Sequence, residues 1–495
     1  MHLNPHAADP AFTLGERYER WLDHESAGGN ARKVRGSYYT PRALVESLVA
    51  ATLAPLLSKL ATVANPEQVL LQWAVCDPAC GSGRFLVVAA QNLATRLALI
   101  RGREVASLAD LCDIIEHCIY GVDIDPTAVE LCRFALSQEV AGDPRVSKLI
   151  EQRIVVGDSL FEDVHRGQMF DAVIGNPPFV NMIDGPLTKS YKCRLREVAL
   201  DLDGTADLAY YFVALAHQRT RADGVIGFVL PKSFLNAPSA TRLRERLARE
   251  RRPSRIAMGD DGQFRGADTY VAAVTLGGDE PCVVDIAGQQ RTLAWPNDPA
   301  ASNWWRVVSA NQSIVHSGFT LADQFELTAG MTTGEAYEIR EHLTDSEQGR
   351  GVRLITSRLI DPGQCRWGVT RCRYLGRNLS YPRLVDHESY SSGLRRRLQL
   401  VGRPKVLIAG LCNRGEAYLD AAGRDLGAVS TFVVYHPRDD RAALGQLAEW
   451  FNSAEIAGWL RDELGAASVG HGYMTLKKRT LQQLPLPERW QAAAA

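Results

Sequence analysis

Between about residues 41 and 230, short apolar segments alternate with longer segments whose apolar residues recur at helical spacing. The first helical segment carries two adjacent apolar rows, one formed by Leu44, Leu48, Leu56 and Leu60 and the other by Val45, Val49, Leu53 and Leu57. Thr40 and Pro41 precede it, where a helix N-cap and a first-turn proline belong. The pattern therefore predicts that a helix opens this part of the chain.

Strand-length and helix-length segments then follow one another. The predicted strands are the apolar run that ends at Asp77, then Ile119–Asp123, Arg153–Val156, Phe170–Gly175 and Gly224–Leu230. Helices are predicted to begin near Gly83, at Pro126 and near Ala206. This alternation favours an α/β fold with a doubly wound, mainly parallel sheet, in which ligands bind at the carboxyl ends of the strands.

The rest of the chain is less regular. Residues 181–205 form a polar stretch that we interpret as a long active-site loop. The proline-containing stretch between Trp295 and Trp305 indicates a boundary between a domain of residues 1–300 and a second of residues 301–495. Helical spacing returns from Ala442 to Leu464.

Composition narrows the class of protein. The 495 residues are 46% hydrophobic and 23% charged with a net charge of −1, as in ordinary globular proteins. The ten cysteines lack zinc-ligand or disulfide-framework spacing, so no metal site is expected. Glu46, Pro55 and Lys59 interrupt the longest apolar stretch, and the N-terminus lacks a secretory signal pattern. We therefore expect a cytoplasmic protein without a membrane span.

Two segments are locally basic. Thr241–Arg255 holds seven arginines and two glutamates, a balance that the solvated face of a helix explains best. Cys365–Lys405 holds ten basic residues against two acids, interleaved with Trp367, Tyr374, Tyr381 and Tyr390. That mixture is typical of a surface that meets phosphates and bases, so Arg395, Arg396 and Arg397 are predicted to bind DNA.

Acidic residues follow the first three predicted strands. Asp77 begins the segment DPACGSG, where Gly81 and Gly83 allow close backbone approach to a ligand, although a tight strand-to-helix turn explains the glycines as well. Asp77 is suited to a cationic amino group, and Asp123 to two ribose hydroxyls. Asp158 can accept from an adenine amine. Asp125 with Pro126 is interpreted as a helix cap.

The segment NPPF, Asn176 to Phe179, follows the fourth strand. The lone pair of an amine conjugated to a purine is delocalised into the ring, so such an amine is a poor nucleophile. The Asn176 side-chain oxygen and the Pro177 carbonyl would hold its hydrogens and favour the pyramidal form. Pro177 and Pro178 fix the backbone that aims both acceptors, and Phe179 offers the base a flat apolar face.

These segments resemble the gamma-class adenine DNA methyltransferases associated with restriction. The resemblance rests on GSYYTP before the first helix, DPACGSG, GVDID, GDSL, NPPF, and the segments Asp207–Phe212 and Gly224–Phe234. It implies the class I S-adenosyl-L-methionine fold, with Tyr39 and Thr40 packing over the methionine part of that cofactor. It also implies that the target adenine flips out of double-stranded DNA, with Phe264 stacking on it beside Phe179, although the position of Phe264 equally suits an ordinary core phenylalanine.

A fainter resemblance covers the C-terminal part, at Thr328–Tyr337 and Gly472–Pro487. It implies a mixed α+β target-recognition domain whose DNA sequence cannot be carried over from the family. The resemblance and the strand-end pattern together assign the following residues to donor binding: Tyr39, Thr40, Asp77, Ala79, Gly81, Gly83, Asp123, Ile124, Asp158 and Ser159.

Three alternatives remain open. NPPF also occurs in methyltransferases for a guanine amine in RNA or a glutamine amide in protein, but those proteins are shorter than this chain. A fused nuclease is disfavoured because too few residues precede Gly36. A DNA-binding subunit without catalysis is disfavoured because Asp77, Asp123, Asp158 and Asn176 are all present. We expect a site-specific adenine methyltransferase of a restriction-modification system, with a separately encoded endonuclease as a candidate partner.

Overall fold

A computed structural model describes residues 40–180, 182, 187–258, 271–278, 281–296, 303–309, 319–464, 473–487 and 490. Tyr39 and Phe264, assigned above to cofactor and base, lie outside these residues. The chain divides into two compact units, Met1–Val308 and Ser309–Ala495. The boundary lies slightly beyond residue 300 because Trp304 is buried in the first unit, edge-on to Trp295 and Phe234.

A nine-stranded sheet forms the centre of the first unit, in the order β3-β2-β1-β4-β5-β7-β6-β8-β9. Its strands are β1 Val75–Asp77, β2 Ile119–Asp123, β3 Ile154–Val156, β4 Phe170–Gly175, β5 Thr220–Pro231, β6 Pro253–Met258, β7 Val271–Leu276, β8 Cys282–Ile286 and β9 Gln289–Leu293. Strands β3, β2, β1, β4 and β5 are parallel, and β7 runs antiparallel to β5 and β6. The predicted α/β fold with a mainly parallel sheet is therefore confirmed for this unit.

The helices of this unit connect the strands. They are α1 Arg42–Lys59, α2 Pro66–Leu71, α3 Arg84–Ile100, α4 Leu108–Cys118, α5 Pro126–Glu139, α6 Pro144–Arg153, α7 Lys189–Val198, α8 Leu208–Arg219, α9 Thr241–Glu250 and α10 Trp304–Ser309. The predicted cap of α5 is confirmed, because the Asp125 side chain accepts from the Thr127 N–H. The polar stretch 181–205 is not loop throughout, since it contains α7.

Helix α1, with the 3-10 turn that extends it to Thr62, is long and apolar enough to cross a membrane by length and composition. This corrects the expectation that no segment passes that test. In the folded unit, however, Val45, Leu48 and Leu53 are buried. A Cβ on Gly227 of β5 would lie 1.8 Å from Thr52 Oγ1, so the helix lies directly on the sheet.

The second unit combines two four-stranded sheets, β10-β22-β18-β20 and β11-β17-β12-β21. Its strands are β10 Glu326–Ala329, β11 Leu343–Asp345, β12 Val352–Ile355, β13 Ile360–Asp361, β14 Gln364–Cys365, β15 Cys372–Tyr374, β16 Arg377–Leu379, β17 Pro382–Leu384, β18 Lys405–Ala409, β19 Leu411–Cys412, β20 Ala417–Asp420, β21 Asp425–Gly427, β22 Thr431–Tyr435 and β23 Met474–Thr475. Its helices are α11 Leu321–Gln324, α12 Thr333–Glu338, α13 Ser392–Leu398, α14 Arg441–Phe451, α15 Ala454–Leu464 and α16 Lys478–Gln482. This is a mixed α+β unit.

Candidate active site

Two carboxylates organise the loop that leaves β1. Asp77, the last residue of β1, is 1% exposed and accepts from the Ala79 N–H at 3.0 Å. Asp123, the last residue of β2, accepts from the Gly81 N–H at 2.8 Å and from the Asp125 N–H at 2.9 Å. The sheet therefore brings Asp77, Ala79, Gly81 and Asp123 together at its carboxyl edge, as the sequence predicted.

The pKa values of both the Asp77 and the Asp123 carboxyl groups are raised in the folded chain. Burial raises the pKa of Asp77 to about 8, the negative charge of Asp123 adds to the rise, and the Ala79 hydrogen bond opposes it. Burial also raises the pKa of Asp123, against hydrogen bonds from the backbone of Asp125 and Gly81. A cation beside Asp77 would favour the ionised form and lower this pKa.

The two glycines of the β1 loop have different surroundings. Gly81 has φ +52° and no atom within 4 Å of the position that a Cβ would take. Gly83 has φ +88°, and a Cβ there would lie 2.8 Å from Cys132 Sγ on α5. The predicted approach of a ligand therefore fits Gly81, whereas Gly83 is required by the packing of α3 against α5.

The loop after β3 holds the third carboxylate. Asp158 accepts from the Leu160 N–H at 3.1 Å and from the Tyr191 hydroxyl, while burial raises its pKa. Ser159 Oγ donates to the Pro78 carbonyl at 2.6 Å, so this hydroxyl ties the β3 loop to the β1 loop. Ile124, next to Asp123, is 65% exposed and presents an apolar surface at the same edge.

Asn176 directly follows β4 and has its two amide atoms in different situations. Nδ2 donates to Thr40 Oγ1 at 2.9 Å. Oδ1 is buried and has no hydrogen-bond partner among the described residues. The Pro177 carbonyl likewise accepts no hydrogen bond from that part of the chain. A buried amide oxygen without a donor is costly, so a ligand donor would be bound favourably there.

Thr40 is part of the site and does not cap a helix. Helix α1 begins at Arg42 with Pro41 in the N-cap position and no side-chain cap, which corrects the predicted N-cap. The Thr40 hydroxyl instead accepts from Asn176, and its carbonyl accepts from Arg84 Nη1 at 3.4 Å. The segment before α1 is thereby joined to both strand-end loops.

The loop after β4, which carries Asn176, lies against the end of β1, which carries Asp77. Gly175, the last residue of β4, has φ +151°, and a Cβ there would lie 2.5 Å from Asp77 Oδ1. Only glycine permits this approach. Asn176, one residue further along, therefore begins beside the Asp77 carboxylate.

Sequence reasoning missed several supporting residues. Asp207 accepts from the Val180 N–H at 3.3 Å and caps α8 through the Ala209 N–H at 3.0 Å, so it positions the backbone after Phe179. An acid directly before a helical segment was the available signal. Arg84 was visible only as a cation in an apolar helix, and nothing in the sequence pointed to Tyr191.

Several arginines of the two basic segments, Thr241–Arg255 and Cys365–Lys405, bond to other groups of the fold. Arg244 donates to the Phe234 and Ala237 carbonyls, and Arg251 donates to the carbonyls of Thr220, Arg221 and Gly224 in β5. In the second unit, Arg397 Nε lies 2.7 Å from Glu335 Oε2, and both side chains are mostly buried. The prediction that Arg397 binds DNA is therefore corrected, because its guanidinium is committed to the fold.

Other members of Cys365–Lys405 are also internal. Lys405 is buried and pairs with Asp420 at 3.1 Å. Tyr390 is buried, and Trp367 stacks with Arg353 and donates to the Pro382 carbonyl. Arg395 and Arg396 are exposed, although each donates to a backbone carbonyl close in sequence. Their contact with DNA stays a prediction.

Residues 11–252 match the family described as N-6 DNA Methylase. We refer to these matched residues as the methylase segment. The methylase segment holds every described residue of the donor and amine sites. No group of three or more His, Cys, Asp or Glu side chains within the described ranges is arranged to hold a metal.

Two curated relatives share the methylase segment. The chain is 24% identical over 243 residues to the type II restriction enzyme and methyltransferase RM.Eco57I of Escherichia coli, covering 40% of this chain and 24% of that protein. It is 28% identical over 187 residues to the type II methyltransferase M.BstVI of Geobacillus stearothermophilus, covering 36% and 32%. The chain thus spans a third or less of these relatives.

A solved structure shares the fold more widely. It is the type IIL restriction-modification enzyme MmeI in complex with DNA, with a TM-score of 0.57 and 15% identity. The match covers 86% of this chain and 65% of MmeI. At this identity the likeness establishes the fold alone.

Proposed function

We propose that the chain is a site-specific DNA methyltransferase that modifies the exocyclic N6 amine of an adenine flipped out of double-stranded DNA. The observation that carries the proposal is the pair of open acceptors, Asn176 Oδ1 and the Pro177 carbonyl, at the end of β4. The family match of residues 11–252 favours DNA over the RNA and protein amines that the NPPF motif left open.

The donor side fits S-adenosyl-L-methionine, which supplies an electrophilic methyl group on a sulfonium when bound. Asp77 is the acceptor for its cationic amino group, since a buried carboxylate is stabilised by a cation. Asp123 is the acceptor for the ribose hydroxyls and Asp158 for the adenine amine. Open space at Gly81 and the exposed Ile124 leave room for the nucleoside.

On the acceptor side, Asn176 and Pro177 accept the two hydrogens of the target amine. Holding both hydrogens on one side favours the pyramidal form, in which the nitrogen lone pair faces away from the acceptors. The nitrogen gains the methyl group and then releases one hydrogen as a proton to solvent, because an amide oxygen is too weak a base to keep it. Pro178 restricts the loop, and Phe179 together with Phe264 is the proposed stacking surface for the base.

The second unit is the proposed target-recognition domain, and a restriction-modification system with a separate endonuclease is the proposed setting. A cytoplasmic location belongs to the same proposal, since the substrate is there. The test is methylation-sensitive sequencing of DNA from cells that carry the full chain or its Asn176→Ala variant. N6-methyladenine at one motif, present only with the unmodified chain, supports the proposal. Methyl groups on RNA or protein instead would overturn it.

A further inference from the structure

Strands β15 and β16 form a two-stranded hairpin whose two faces differ in character. Cys372 and Leu379 are register partners, and each is 2% exposed. Arg373 and Asn378 are the next register partners, and both are exposed. Because neighbouring residues of a strand point to opposite faces, the hairpin has one face in the core and one in solvent.

The hairpin is firmly fixed. Its tip, Leu375 and Gly376, has φ +50° and +81°, as in the tight turn that suits a two-residue hairpin. Arg377 Nη1 donates to the Leu343 carbonyl at 2.7 Å and fastens the second strand to the unit. Arg373 and Asn378 therefore stand on a hairpin that is fastened to the unit.

The outward face is cationic. Arg371 directly precedes β15, two residues before Arg373, and Arg358 Nε donates to the Arg371 carbonyl at 3.3 Å. All three arginines are exposed, and none forms an ion pair with any described residue. Asp345 is an acid close to Cys372, and its carboxylate accepts hydrogen bonds from the Ser380 and Tyr381 N–H groups. These three arginines differ from Arg397 and Lys405, which form ion pairs inside the unit.

We infer that this hairpin enters the major groove of duplex DNA and reads bases with Arg373 and Asn378. A two-stranded ribbon fits that groove, arginine pairs with guanine O6 and N7, and asparagine with adenine N6 and N7. Arg371 and Arg358 contact flanking phosphates. This inference rests on the proposed function, which supplies duplex DNA as the partner.

The register makes the assignment specific. Cross-strand partners have Cα atoms about 5 Å apart, and successive bases of one strand are about 3.4 Å apart along the helix axis. Arg373 and Asn378 therefore reach neighbouring base pairs. The recognition motif should contain a guanine close to an adenine, counted over both strands.

The first experiment selects bound sequences from a duplex pool with a randomised centre, using the full chain. Arg373→Ala should relax the preference for guanine at one position by about 5- to 150-fold. Asn378→Ala should do the same for an adjacent adenine. Arg373→Lys keeps the charge but loses the rigid guanidinium fork, so it should weaken the base preference without changing the salt dependence. Arg441→Ala, an exposed arginine at the start of α14, is the matched control and should keep the motif.

The second experiment measures affinity for the selected duplex against salt. Arg371→Gln and Arg358→Gln should weaken binding to all sequences alike and lower the salt slope by about one unit each. An unchanged motif in Arg373→Ala and Asn378→Ala, or equal loss in Arg441→Ala, would overturn the inference. So would tighter binding of the chain to an RNA duplex of the selected sequence than to the DNA duplex. Specific binding without methyl transfer would instead count against the proposed function alone.

Discussion

Asn176 and Thr40, which are 136 residues apart in the sequence, are joined by a hydrogen bond of 2.9 Å from Nδ2 to Oγ1. Since the amide nitrogen is committed to Thr40, the orientation of the amide is set, and Oδ1 remains the free acceptor. A residue that precedes α1 thus determines where the acceptor after β4 points.

Asn176→Ala should lose methyl transfer while keeping donor binding. Removal of one preorganised polar group at a reacting centre costs about 100- to 1,000-fold in rate. The measurement is single-turnover transfer of labelled methyl to duplex DNA, with donor affinity by calorimetry. Asn176→Asp, which keeps an acceptor oxygen, is the control and should retain partial activity. Near-normal transfer by the alanine variant would contradict the mechanism.

Thr40→Val should reduce the transfer rate by about 2- to 10-fold, because a neutral hydrogen bond contributes about 0.5–1.5 kcal/mol. Valine has nearly the same shape but no acceptor for Asn176 Nδ2. Thr40→Ser keeps the hydroxyl and should stay close to the unmodified rate. Single-turnover rates compare the two, and equal losses would show that packing, rather than the hydrogen bond, is what Thr40 provides.

Asp77 should make donor binding depend on pH. With its pKa raised to about 8 by burial, the carboxyl group is protonated below that pH and must release a proton to accept a cation. Donor affinity should therefore rise with pH, by up to about tenfold per unit, until pH reaches about 8. Calorimetry on Asp77→Asn is the comparison, since titration of the donor's own amine is common to both proteins. An identical pH profile in the two would refute the assignment.

The same carboxyl group has the opposite effect on folding. Between the ordinary value of 3.8 and about 8, the folded chain holds a proton that the unfolded chain releases. The free energy of unfolding should therefore fall as pH rises through this window, and this loss is complete above about 8. Urea unfolding across the window should show a flatter dependence for Asp77→Asn than for the unmodified protein.

Gly81→Ala and Gly83→Ala should separate donor binding from packing. A Cβ at Gly81 meets nothing, so the fold should lose only the strain of a left-handed alanine, about 1 kcal/mol, while the donor loses its close approach. A Cβ at Gly83 meets Cys132 at 2.8 Å and should cost about 1–3 kcal/mol more in unfolding free energy. Donor titration and thermal unfolding of both variants test this, and the reverse pattern would exchange the two roles.

Arg397→Gln should destabilise the second unit without changing the salt dependence of DNA binding. It removes the partner of Glu335, whose carboxylate also accepts from the Thr332 N–H at 2.7 Å. The loss of a charged hydrogen bond in this setting is about 1.5–3 kcal/mol. Arg396→Gln, on the exposed side of α13, is the stability control. A salt slope lowered only by Arg397→Gln would restore the original assignment to DNA.

Much of the active site followed from the sequence because its chemistry is local. Strand-end acids such as Asp77 and Asp123 keep their place whenever a parallel sheet forms, and β2 and β4 begin and end where the apolar runs predicted. The NPPF backbone is likewise restricted by its own prolines. Strand-length apolar runs and helical apolar spacing were therefore enough to place the motifs at one edge of the sheet.

Tertiary structure decided what each polar group is bonded to. Thr40 could be a helix cap by sequence, but its hydroxyl meets Asn176 only because β4 lies beside the start of α1. Arg397 and Arg373 are equivalent in a count of charges, yet one pairs with Glu335 and the other faces solvent. Contacts between residues that are distant in sequence leave no signal in the local sequence pattern. The burial and pairing of these side chains can therefore be seen only in the folded structure.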